Sequence, residues 1–139
     1  MRASDRSGLD EVLAHWTSFQ ECPIVTIDFP NFAYALRITF DYIWDDAGEI
    51  RSDLDVPKLV SVEFSPLYLV EYSADIRSLE LGEDQTLGAG AMEISMIRQS
   101  NPGSNANLAV DIGWDWGGRF VHVEFDSLSI SLVVKPPSS

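Results

Sequence analysis

The sequence predicts a mainly β fold: a single antiparallel β-sandwich or open barrel of about seven or eight strands with one short N-terminal helix. Three observations lead there. Apolar residues recur at every second position in several separate stretches, the period of a strand with one buried face. Gly, Pro, Asn and Asp punctuate these stretches at short intervals, as turns require. Only one segment, near the amino terminus, has helical spacing, so the strand and helix alternation of a parallel sheet is missing. An α+β sheet with the helix across one face remains the alternative, because periodicity does not encode strand order.

The helix is read in Ser7-Gly8-Leu9-Asp10-Glu11-Val12-Leu13-Ala14-His15-Trp16. Leu9, Val12, Leu13 and Trp16 fall on one stripe, Ser7 is the expected N-cap, and Asp10 and Glu11 would complement the helix dipole in the first turn. Residues 17–23 read as a turn. A strand over 24–29 alternates Val25, Ile27 and Phe29 against Thr26 and Asp28 and stops at Pro30. The longest pattern follows, with Tyr34, Leu36, Ile38, Phe40, Tyr42 and Trp44 all apolar at a spacing of two. As one strand it would span about 36 Å, well beyond the usual length, so a bend or bulge is expected within it.

Asp45-Asp46-Ala47-Gly48 has turn chemistry, since Asp can accept from its own backbone and Gly tolerates positive φ. A strand over 59–64 directs Val60, Val62 and Phe64 inward until Ser65-Pro66 breaks it, and Leu67-Tyr68-Leu69-Val70 fits either a strand or a helical turn. Residues 76–81 resume the period weakly. Loops over 82–90 and 99–107, expected to be exposed and mobile, flank a strand with Met92, Ile94 and Met96 on one face. Leu108, Val110, Ile112, Trp114 and Trp116 alternate, Gly117-Gly118 supplies a hairpin turn, and Val121, Val123 and Phe125 answer. Leu128, Ile130, Leu132 and Val134 make a final strand before Pro136-Pro137. No linker or repeat divides the chain, so 1–139 is read as one domain, with 1–6 and 136–139 as flexible tails.

A chain of 139 residues can bury a core without staples, and Cys22 alone cannot form an internal disulfide. The apolar runs are all far shorter than a membrane span, and no apolar leader follows the first residues, so the expected compartment is cytoplasmic. Nine Lys and Arg against 22 Asp and Glu leave a formal charge of −13. Binding to nucleic acid or to anionic membranes is therefore not expected, because both depend on Lys and Arg meeting phosphates. An acidic surface can steer a basic partner or mimic nucleic acid; its blander role is solubility.

Enzyme motifs are not found: there is no G-x-S-x-G, P-loop or G-x-G-x-x-G, and His15 and His122 do not share a metal-ligand spacing. His15 reads as a packing or capping residue, and His122 as a solvated or cross-strand paired one. Cys22, with no basic neighbour, reads as inert. No catalytic residue, metal or cofactor is assigned. The acidic cluster Asp41, Asp45, Asp46, Glu49, Asp53 and Asp55 does not keep the offsets of a calcium loop. Trp114 and Trp116 share a strand face, and core packing beside Ile112 is weighed against stacking on a sugar or anchoring a partner, with Trp116 the nearer to the turn.

The segment Trp16-Thr17-Ser18-Phe19, at the end of the helix and leading into antiparallel strands, resembles small bacterial immunity proteins of polymorphic-toxin systems and related uncharacterised β-rich domains. Where those proteins often continue with His-Asp, this chain has Gln20-Glu21. The resemblance implies a non-enzymatic protein that binds and blocks a cognate toxin, and the negative charge suits a basic toxin such as a nuclease. Asp41, Trp44, Asp45, Asp46, Glu49, Asp53 and Asp55, with Trp116 and Arg119 at the hairpin turn, are the expected partner surface. The alternative is a small-ligand or carbohydrate-binding module that uses the tryptophans.

Overall fold

The computed structural model describes residues 1–72, 94–114 and 120–133. In chain order these form β1 (Arg2–Ala3), α1 (Arg6–His15), β2 (Ile24–Asp28), β3 (Leu36–Asp41), β4 (Leu59–Tyr72), β5 (Ile94–Ser100), β6 (Leu108–Trp114) and β7 (Phe120–Leu132). The fold is mainly β and antiparallel throughout, as the alternating pattern predicts.

Helix α1 starts two residues earlier than expected. Asp5, in extended conformation, is the N-cap instead of Ser7, and its Oδ1 accepts from Gly8 N at 2.7 Å. A Cβ at Gly8 would lie 2.9 Å from that oxygen, so the tight cap favours glycine. Asp10 and Glu11 consequently fall beyond the first turn. Leu9, Val12 and Leu13 are buried as the helical stripe requires, and Trp16 packs against the same cluster.

The chain leaves α1 through a single 3-10 turn, Thr17–Phe19, whose three residues have φ of 56°, 51° and 54°. Left-handed backbone costs about 1–2 kcal/mol per residue. The turn reverses Phe19 into the core, where it is fully buried, lies 4.7 Å from the Phe40 ring and stacks on Trp16 at 5.9 Å. Tyr42 meets both Phe19 and Trp16 edge-on, and the hydroxyls of Thr17 and Tyr42 are 3.0 Å apart. Burial of the aromatic payload offsets the strain. A second helical turn, Pro30–Ala33, is also left-handed at Asn31, Phe32 and Ala33, and projects Phe32 wholly into solvent.

Strand order is β2-β3-β4-β7-β6-β5, with β1 on β7 beyond the end of β6. The edges β2 and β5 do not pair with each other, so the described strands make one open sheet. Its core face carries Leu36, Ile38 and Phe40 from β3, Val60, Val62 and Phe64 from β4, Val110 and Ile112 from β6, and Val121, Val123, Phe125, Leu128 and Ile130 from β7.

Several expectations change. Residues 34–44 are not one strand: β3 covers only Leu36–Asp41, Tyr34 is exposed, and Trp44 joins a separate bridge to Ile50. Ser65-Pro66 does not end β4, which runs on through 67–70. The 120–125 and 128–132 segments are likewise one strand, β7. Both strands change inward parity where Ser65 faces Ser127: the inward set passes from Phe64 to Leu67 on β4 and from Leu128 to Phe125 on β7, a spacing of three in each. A register shift at Val25 turns Ile24 inward, Phe29 lies past the end of β2 and is exposed, and a shift between Ile94 and Met96 makes Ile97 the core residue of β5. The amino terminus is no loose tail, since Ala3 is buried and the terminal ammonium donates to Ile130 O at 3.1 Å. Residues 76–81, the 82–90 loop, Met92, Gly117-Gly118 and the 136–139 tail lie outside the described residues. Among the described residues no helix is long and apolar enough to cross a membrane.

Phe19→Ala should cost about 3–5 kcal/mol, the range for truncating a core phenylalanine, as read from urea midpoints. A loss below about 1 kcal/mol would show that the left-handed turn is not held by this ring.

Candidate functional site

Between β3 and β4 the chain makes an excursion, residues 42–58, closed at its base by backbone bonds. Tyr42 N donates to Lys58 O at 2.8 Å, and the Asp41 carboxylate accepts from Lys58 N at 3.1 Å. Asp45 builds the tip: its Oδ1 accepts from the amides of Ala47 and Glu49, both at 2.9 Å, while Gly48 takes φ +77°. The Asp-Gly turn read from sequence is therefore present. Trp44 is half-buried, and its indole N–H donates to Gln20 O at 2.7 Å.

Arg51 holds the excursion together from beneath. It is buried, and its guanidinium donates to the carbonyls of Tyr42 (2.6 Å), Asp53 (3.1 Å) and Val56 (2.5 Å) and to Asp53 Oδ1 at 3.2 Å. A buried cation is tolerable only when its donors are satisfied, and a planar fork can reach several carbonyls at once. The ion pair itself adds little, because the Asp53 side chain is 65% exposed. The carbonyl bonds fix the loop.

The result is an open groove of about 520 Å³ between this loop and the end of β7. Asp45, Asp46, Asp53 and Trp44 line it together with Lys58, and Val56, Leu132 and Val133 contribute apolar surface. Four of the nine expected partner residues thus come together. Asp41 is instead engaged with Lys58 N, while Glu49 and Asp55 are exposed on the loop without lining the groove. Trp116, Arg119 and the side chain of Trp114 lie outside the described residues. Sequence reasoning missed Arg51, although it is the one base among residues 45–57, and missed the β7 wall.

A second polar cluster lies on the outer face of the sheet, where Asp111 of β6 faces His122 of β7. His122 Nδ1 is 2.7 Å from Asp111 Oδ1 and Nε2 is 2.7 Å from Glu124 Oε2, so the cross-strand pairing read for this histidine is present. Glu124, 2% exposed, also accepts from Gly103 N and Ser104 N at 2.8 Å each. The loop after β5 is thereby pinned, not mobile as expected, and Ala106 within it is buried. Burial alone would raise the Glu124 carboxyl, but the bonds from Gly103, Ser104 and His122 bring it down to about 2. With both ring nitrogens held by carboxylates, His122 has no nitrogen facing outward for acid-base work. Burial pushes the Cys22 thiol up to about 11, which keeps it protonated and unreactive.

The chain matches no protein-family model, and no curated protein matches it.

Arg51→Ala should destabilise the protein by about 2 kcal/mol by leaving three carbonyls without their donor, and should speed amide exchange at Val56. Unchanged exchange there would show that the loop is held by other contacts.

Proposed function

We propose that this chain is a non-enzymatic acidic binding protein that captures a basic protein partner in the groove between the 42–58 loop and the end of β7, as an immunity protein would neutralise a basic toxin. The observation that carries this reading is the placing of Asp45, Asp46 and Asp53 beside Val56, Leu132 and Val133 in one groove. Carboxylates alone would serve solubility, but an apolar surface beside them is desolvated only by a partner with apolar groups of its own. Ile50 and Leu54 are also exposed apolar residues of the same loop. A chain of net charge −13 attracts a basic partner from a distance, and the groove gives the encounter a place to finish.

Arg51 suits this role because it presents the loop in one conformation before a partner arrives, which lowers the ordering cost of binding. The resemblance carried by Trp16–Phe19 adds the toxin class.

Immobilised wild-type chain should retain a basic protein from the native lysate, with an association rate that falls steeply between low salt and about 0.15 M. The Asp45→Asn/Asp46→Asn/Asp53→Asn variant, which keeps an acceptor oxygen at each position, should lose most of that rate while its stability falls by no more than about 1 kcal/mol. Equal capture by both proteins, or a rate indifferent to salt, contradicts the proposal.

A further inference from the structure

The Asp111, His122 and Glu124 cluster belongs to no part of the groove, and its geometry couples a proton to the position of a loop. A protonated imidazole donates from both nitrogens, so both 2.7 Å contacts to carboxylates are then charge-assisted hydrogen bonds. A neutral ring has one N–H, and one carboxylate would face a lone pair. Asp111 can turn to water, since its side chain is 32% exposed. Glu124 cannot. Its cross-strand neighbours are Leu69 on β4 and Ala109 on β6, both apolar, and its other partners are the uncharged amides of Gly103 and Ser104. Among the described residues no other cation stands beside it, so without the imidazolium it is a buried anion left to uncharged donors, a costly arrangement.

We propose that this cluster is a proton-operated latch, which fastens the 101–107 loop over the outer face of β6 and β7 while His122 is charged and loosens it when that proton leaves. The surrounding charges agree with it. Glu71 of β4 stands opposite His122 and favours the charged ring, whereas Arg98 of β5 stands opposite Asp111, one strand further away. Asp126 holds the far end of the loop by accepting from Asn107 N at 3.0 Å and also accepts from the Tyr68 hydroxyl. Residues 101–107 themselves carry no titratable side chain.

Burial alone would lower the His122 pKa, but the hydrogen bonds and charges of Asp111 and Glu124 outweigh it and raise it above 6.5. The contribution of the charged ring is therefore complete below about 6.5 and is lost as pH rises through the raised folded value. Glu124 fails only in acid: its contribution is complete above 4.5 and is lost as pH falls towards about 2. The loop should be fastened best between these two limits.

The test follows the His122 ring and the Gly103 and Ser104 amides of the whole chain by NMR from about pH 5 to pH 9. After correction for intrinsic exchange, protection of both amides should fall by about tenfold or more as His122 titrates, while Val62 in the central sheet holds its protection. Glu124→Gln removes the buried charge, so its amide protection should no longer follow the His122 titration. Flat protection through the wild-type titration, a His122 pKa below 6.5, or an undiminished pH step in Glu124→Gln would overturn the latch.

Discussion

The pairing of β4 with β7 is the constraint on which the other parts depend. The two longest strands run together from Val60 opposite Leu132 to Tyr72 opposite Val121. β3 occupies the other edge of β4, while β6 and β1 share the other edge of β7. Where their inward parity changes, Ser127 Oγ donates to Ser65 O at 3.0 Å and ties the two strands together. Both polar sites hang from this pair. At one end β7 carries Leu132 and Val133 to the groove, fixed there by Val133 N donating to Leu59 O at 2.9 Å; towards the other, it carries His122 and Glu124.

The segment Trp16-Thr17-Ser18-Phe19 lies between the end of α1 and β2. In this chain the segment serves packing, because it turns the end of α1 back through left-handed backbone so that Phe19 can enter the core between Trp16 and Phe40. Tyr42, the last buried residue of the β3 pattern, meets that cluster, gives its carbonyl to Arg51 and lies 5.5 Å beneath the Lys58 ammonium. The groove is thus built directly on the aromatic core, which is why an exposed acidic loop can keep a defined shape.

Much of the fold was legible in the sequence because burial on one face imposes a period of two. Leu36, Ile38, Phe40, Val60, Val62, Phe64, Leu108, Val110, Ile112, Val121, Val123 and Phe125 all point inward as that period requires. It fails where the backbone departs from a regular strand. Val25 and Ser95 lie at register shifts, and β4 and β7 change inward parity at Ser65 and Ser127, so Val25, Met96 and Ser65-Pro66 do not follow the pattern expected of them. Periodicity also carries no information about which distant strands meet. The Asp45 turn was visible because its chemistry is local, whereas Arg51 beneath the loop and Glu124 beneath residues 103 and 104 act through tertiary contacts that only the register creates.

The negative charge of this protein is held to act through one shaped place and not as a diffuse cloud. That is tested most directly by adding a short oligolysine peptide with flanking apolar residues to isotopically labelled chain and mapping the amide shifts. Saturable shifts concentrated at 44–58 and 132–133, weakened by salt but not abolished, are the expected result. Shifts scattered over all exposed carboxylates, including Asp10, Glu11 and Glu71, and vanishing together with salt, would contradict it.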